Sequence, residues 1–394
     1  MHGADARGGR QIKVLWVLGS DTVDPAVPRT NGVEVLFSRM AGLFDPERFA
    51  VSVAYPDHGP VVGQLDAAGL RRFAFLARRN WDPRIMADVE RMIRATAADV
   101  VHSNSGPLDL HVALAARLHG AHHVTTRHVA YREREVAPWR RSAYEMIDRA
   151  CVRLGTHFVA ISEHGRRVLV EGQGTPPDRV SVIYNGCRVP PPATLLDRGV
   201  ARERLGLRGG ALLLGMVARL EPHKGGATLL RAAAPLLLEH PGLTIVFAGT
   251  GPEVPVLEDL ARRVGLGAAV RFLGFVRDVG TLYDALDYLV LPSHGAEGVP
   301  NVLAEALAHG CPCVATRVGG VADVVVDGEC GWLVDPEDEA GLRAALREAL
   351  DHPERRDRLG AAGRSRVERR FSLEAMVQAY GDLYRALARG GPAA

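Results

Sequence analysis

Two short segments carry the residue types best suited to chemistry. Residues 215–226 read GMVARLEPHKGG, so Arg219 and Lys224 follow an apolar run and precede two glycines. Cations at the carboxyl end of a strand, beside a Gly-rich helix start, suit a diphosphate, because the first amides of the helix add N–H donors and a positive dipole end. Read alone, the pair fits a solvated loop equally well. Residues 292–320 read PSHGAEGVPNVLAEALAHGCPCVATRVGG, with Glu297 and Glu305 separated by seven residues. Bare spacing is weak, since about one such pair is expected by chance among this chain's glutamates. Pro300 and Asn301 read as a helix start, which puts Glu297 on the preceding loop and Glu305 in the second turn. Two carboxylates eight residues apart on one helix would point about 80° apart, so the loop is what could aim both at one ligand. Glu297 would then accept from sugar hydroxyls and Glu305 from a ribose, with the Asn301 and Val302 amides on phosphate oxygens.

These residues need a scaffold that ends strands in loops. Residues 13–18, 49–54, 100–102, 123–126, 156–161 and 180–183 read as one strand series, interleaved with helical patterns such as 33–43, 83–97 and 110–118. After the prolines at 190–192 the pattern restarts, with strands at 212–217, 243–248, 270–273, 288–291, 313–315 and 331–334. Two βα series predict an α/β protein of two Rossmann-like, doubly wound domains facing a cleft. The expected bounds are a first domain at 10–186, a linker at 187–205, a second domain at 206–371, and a helix at 372–390 packing back on the first domain. No Walker loop occurs. The run Gly249-Thr250-Gly251 follows a late strand and lacks the third glycine of a dinucleotide fingerprint.

The 394 residues suit two cores. A net charge of +2 gives no reason to expect a nucleic-acid partner. Cys151, Cys187, Cys311, Cys313 and Cys330 contain no C-x-x-C, which favours reduced thiols and a cytoplasmic setting. Cys311 and Cys313, flanking Pro312, read as buried small hydrophobes before metal ligands. No run approaches the ~18 apolar residues of a membrane span. Lys13 and Lys224 are the only lysines among 48 basic residues.

The whole pattern resembles the large retaining glycosyltransferase family with the GT-B fold, called family four or group 1. The resemblance rests on RLEPHKGG at 219–226, FAGTGPE at 247–253, FLGFV at 272–276, LVLPS at 289–293, EGVPNVLAEALAHG at 297–310 and GWLVDPED at 331–338. It extends upstream to VAISEHGRR at 159–167 and VIYNG at 182–186. It implies that Arg219 and Lys224 neutralise the diphosphate of a donor such as a UDP- or GDP-sugar, that Glu297 holds the transferred sugar and that Glu305 binds the ribose. Backbone near Phe275 and Val276 would contact the base. Gly251 and the run Gly298, Val299, Pro300, Asn301 and Val302 would complete the donor site. In the first half the sequence has Asn31-Gly32-Val33-Glu34 where the family more often has two glycines, so Gly32 carries acceptor or phosphate contact with that departure. His128, in TTRHVAYR, matches the histidine across the cleft from the donor sugar; His102 reads as shaping the cleft.

The resemblance implies a hexosyltransferase that needs no cofactor beyond its nucleotide-sugar co-substrate, and retention by front-face attack with the diphosphate assisting deprotonation of the acceptor. No D-x-D occurs to hold a divalent metal, so metal independence is expected. Two other readings share the architecture: a nucleotide-sugar epimerase, and a non-catalytic sugar-nucleotide binder. The acceptor is a small molecule, a glycan or a lipid-linked species, in cell-surface glycan or secondary-metabolite biosynthesis. The stretch 127–153, with seven arginines against four acids and Tyr131, Trp139 and Tyr144 between them, reads first as a solvated helix face. Its second reading is an anionic acceptor site or peripheral contact with acidic lipid at the inner membrane face.

Overall fold

A computed structural model of the chain describes residues 10–18, 32–55, 62–74, 82, 84–104, 106, 108–128, 138–207, 212–295 and 297–390. The chain divides into two compact units, Met1–Tyr184 with Met376–Ala394, and Asn185–Ala375.

The first unit is built on β1 (Ile12–Val17), β2 (Phe49–Tyr55), β3 (Arg71–Ala74), β4 (Val100–Ser103), β5 (His122–Arg127), β6 (His157–Ala160) and β7 (Val180–Val182). They form one sheet in the order β3-β2-β1-β4-β5-β6-β7, all paired in parallel. The inner strands are apolar runs because helices cover both faces. In the helix Arg84–Thr96, Ile85, Val89, Met92 and Ile93 recur on one face and pack with Leu15, Val17 and Val101. The strand missing from the sequence reading is β3, whose RRFA has no apolar run. It is an edge strand, where charge discourages further pairing, and the Arg71 guanidinium lies 4.9 Å from the Phe73 ring centre.

Two buried polar networks tie this unit together. His102 on β4 bonds the Tyr384 hydroxyl through Nδ1 (2.6 Å) and Thr126 Oγ1 through Nε2 (2.8 Å). Tyr384 belongs to the C-terminal helix Leu373–Ala388, and the indole N–H of Trp16 on β1 donates to the same hydroxyl. His102 is therefore a fully buried core residue joining that helix to the sheet, and its role is cohesion of the unit. Burial, with His123 and His128 nearby, lowers its pKa to about 3. In the second network Arg127, the last residue of β5, donates to Asp109 Oδ2 and Asp148 Oδ1 at 2.5 Å each, and Ser103 donates to Asp109.

The second unit contains β8 (Leu212–Val217), β9 (Leu243–Ala248), β10 (Val270–Gly274), β11 (Tyr288–Leu291), β12 (Cys313–Thr316) and β13 (Gly331–Val334). Their order is β10-β9-β8-β11-β12-β13, again parallel throughout. Chain order reverses between β8 and β11, the position where open α/β sheets leave a crevice outside their carboxyl ends. The core fills with Leu214, Met216, Ile245, Phe247, Tyr288 and Val290 among others. All five cysteines are free and buried; burial pushes the Cys311 thiol up to about 12. Among the described residues, no helix is long and apolar enough to cross a membrane.

Candidate functional site

Every segment singled out in the second unit leaves the carboxyl end of a strand. After β8 the chain passes Arg219, makes a tight turn over Pro222–Lys224 and enters the helix Gly226–Ala233. Gly225 bridges turn and helix at φ +76°, and a Cβ there would lie 1.9 Å from the Pro292 carbonyl oxygen. Only glycine lets the Lys224 turn rest on the loop that follows β11. That loop carries Ser293 and Glu297 and ends at Pro300, ahead of the helix Asn301–Ala308. Pro300 and Asn301 thus start a helix, Glu297 lies on the loop and Glu305 falls in the second turn.

The carboxylate of Glu297 is the centre of the cluster. Lys224 Nζ lies 2.5 Å from its Oε1, and Ser293 Oγ donates to the same oxygen at 2.7 Å. The Ser293 carbonyl in turn accepts from the Thr316 hydroxyl at the end of β12. Glu297 is 7% exposed, so its ion pair with Lys224 is partly desolvated and costly to break by removing one partner. Gly320 donates its N–H to the Glu297 and Gly298 carbonyls. Gly319, at φ +51°, would put a Cβ 1.7 Å from the Glu297 carbonyl oxygen, so the turn after β12 also demands glycine to approach this loop.

Arg219 stands apart. Its side chain is 65% exposed and pairs with Glu221 at 2.8 Å, a surface contact of the kind typically worth under ~1 kcal/mol. A diphosphate could replace Glu221 at little cost, whereas Lys224, with three donors, can keep Glu297 and still donate to a phosphate oxygen. Glu305 accepts from the Tyr283 hydroxyl at 3.0 Å. Tyr283 is thus a partner of Glu305, as Lys224 and Ser293 are partners of Glu297.

After β9, Gly251 lies so close to the β8 loop that a Cβ would be 2.1 Å from the Leu220 carbonyl oxygen. Phe275 directly follows β10 with 78% of its surface exposed, and Val276 comes next. Val299 and Pro300 are buried, Gly298 and Val302 half-buried, and Asn301 is exposed. In the first unit Gly32 opens the helix Gly32–Ala41 after β1, and half-buried His128 immediately follows β5, where the Arg127 ion pairs hold the strand end. Asn31 and residues 129–137, Tyr131 included, lie outside the described residues.

Sequence reasoning missed Ser293, Thr316 and Tyr283. Ser293 closes the LVLPS run and could have been found as a hydroxyl at a strand end. Tyr283 sits 22 residues from Glu305 on another helix, and no local spacing connects them.

Comparison with known proteins finds two family matches. Residues 197–366 match the family described as Glycosyl transferases group 1, and residues 30–189 match Glycosyltransferase Family 4. A D-inositol 3-phosphate glycosyltransferase of Thermomonospora curvata is 39% identical over 58% of this chain and 56% of the relative; a second, of Corynebacterium kroppenstedtii, is 33% identical over 60% and 54%. The chain spans little more than half the length of these curated relatives. A glycogen synthase of Mycobacterium tuberculosis is 29% identical over 98% of this chain and 89% of its own. Among solved structures, Anabaena Alr3699/HepE in complex with UDP superposes with a TM-score of 0.79 at 21% identity, covering 95% of this chain and 100% of the other. A glycosyltransferase from Rickettsia africae gives 0.81 at 19% identity, covering 97% and 100%. At these identities the structural likeness concerns the fold.

Proposed function

Since this chain belongs to the group 1, family-four glycosyltransferases of GT-B fold, we propose that it moves a hexose from a nucleoside-diphosphate sugar to an acceptor hydroxyl with retention of anomeric configuration. The observation that carries this reading is the cluster of Lys224, Ser293 and Glu297 at the switch point of the second sheet. There a cation and a buried carboxylate are held ready for a charged leaving group and a polyhydroxylated sugar.

The bond from the anomeric carbon to the leaving phosphate oxygen breaks, and its electron pair goes to the diphosphate. Lys224 and Arg219 meet that developing charge; single preorganised donors of this kind contribute roughly 2.7–4 kcal/mol. Glu297 holds sugar hydroxyls, and Glu305 accepts from the ribose. The acceptor hydroxyl attacks the face from which the diphosphate departs and gives its proton to a diphosphate oxygen. Lys224, held at the cluster, and Arg219, recruited from Glu221, supply the charge stabilisation in a scheme that uses no divalent metal. His128 belongs to the acceptor half of the reading. Its acceptor is a polyol hydroxyl: the relatives are named for an inositol phosphate and for glycogen, and both present secondary or primary alcohols to a donor sugar. Cell-surface glycan or secondary-metabolite assembly is the setting that suits such a product. The stripe of exposed Trp139 and Met146 with Arg149 and Arg153 on the helix Pro138–Arg153 supports peripheral contact with acidic lipid.

The division of labour is tested by kinetics. Glu297→Ala should lower kcat far more than it weakens nucleotide binding, and Glu305→Ala should chiefly raise the nucleotide Kd. Steady-state rates and calorimetric titration with UDP, GDP and ADP separate the two; equal losses in both constants for both variants would refute the assignment.

A further inference from the structure

We propose that the Tyr283 hydroxyl is a positioning residue for ribose recognition, donating to Glu305 so that its carboxylate is fixed before the nucleotide arrives. The inference rests on the assignment of Glu305 to the ribose.

Tyr283 lies on the helix Val279–Ala285 and is 2% exposed. Its hydroxyl donates to Glu305 Oε2 at 3.0 Å. Burial first, and then the Glu305 carboxylate, push its ionisation well above the ordinary phenol range, so it remains a donor throughout the working pH range. The ring is itself held. His309 packs against it with centroids 5.6 Å apart, and His309 Nδ1 bonds Asp284 Oδ1 at 2.7 Å. Asp284 Oδ2 accepts the Leu196 N–H at 3.0 Å. The helix start is fixed by Asp278, which accepts from the Thr281 N–H and hydroxyl.

A glutamate on a helix surface ordinarily samples several rotamers, and a ligand that needs one of them must offset the lost freedom on binding. Here a buried donor, packed against His309, favours one rotamer in advance. Tyr283 is anchored by its ring packing, so its hydroxyl is free to act on Glu305 without being needed to hold the ring. A purely structural role, in which Glu305 merely satisfies a buried hydroxyl, makes the opposite prediction for ligand discrimination.

The test uses the purified full chain, with whichever of UDP, GDP and ADP it binds, against the matching 2′-deoxy nucleotide. Wild type should prefer the ribonucleotide. Tyr283→Phe keeps the ring packing; it should weaken ribonucleotide binding about tenfold and bring the ribo/deoxyribo affinity ratio close to one, with kcat at saturating donor changed less than twofold. His309→Gln, which loosens the ring but keeps the hydroxyl, should shift the same ratio in the same direction by less. If Tyr283→Phe is less stable to heat yet keeps the wild-type ratio, the hydroxyl is structural and the proposal is overturned. If wild type and Glu305→Gln both bind the ribo- and deoxyribonucleotides equally, Glu305 does not read the ribose, and the proposal falls with that assignment.

Discussion

Lys224 is the residue at which composition and geometry meet. The chain uses arginine at nearly every basic position, yet a lysine stands where a slim stem must pass from a glycine-closed turn to the Glu297 carboxylate. A guanidinium is planar and forked; an ammonium is a compact charge that can serve a carboxylate and a phosphate together. Lys224→Arg should therefore fold normally and lose at least ~10-fold in kcat/KM, about 1.4 kcal/mol of transition-state stabilisation. Lys13→Arg is the control, since Lys13 belongs to β1 of the other unit. Normal turnover by Lys224→Arg at low and high donor would remove the lysine from the mechanism. At this scale the sequence marks the residues able to do chemistry but not their partners. Lys224 and Glu297 are 73 positions apart, and nothing local says that they touch while Arg219 turns instead to Glu221. Contacts of that range are made by strand order, which periodicity does not encode.

Elements were more legible where both faces of a strand are buried. Twelve apolar runs mark strands because a parallel sheet under helices needs little polar surface, and β3 escaped because an edge strand carrying Arg71 and Arg72 lacks that signature. His102 of β4 reads in the sequence as shaping the cleft and not as core. His102 and His123 have pKa values lowered to about 3, in both cases first by burial, so they stay neutral when folded and take up protons on unfolding. Their folded values lie below the unfolded one near 6.5, so stability is full above that pH and is lost as pH falls from about 6.5 toward 3. Within that window each histidine adds a slope of about 1.4 kcal/mol per pH unit. Thermal unfolding followed across pH 7 to 4 should show the midpoint falling, and His102→Asn should flatten the dependence. A pH-independent midpoint in wild type would show that these rings are charged or solvated in the native state.

For the whole molecule, the proposed reaction sends a charged leaving group away from a sugar held by the second unit and puts an alcohol in its place on the same face. Binding alone would fit a non-catalytic sugar-nucleotide protein, and donor turnover without an acceptor would fit an epimerase. Only a new glycosidic bond of known configuration separates the three. The decisive measurement is proton NMR of the product formed from a UDP-, GDP- or ADP-hexose and a polyol acceptor such as an inositol phosphate, with and without a chelator. The prediction is an anomeric coupling constant of the same class, axial or equatorial, as the donor's, and a rate that the chelator leaves nearly unchanged. An inverted product, or a strict requirement for a divalent metal, would contradict it.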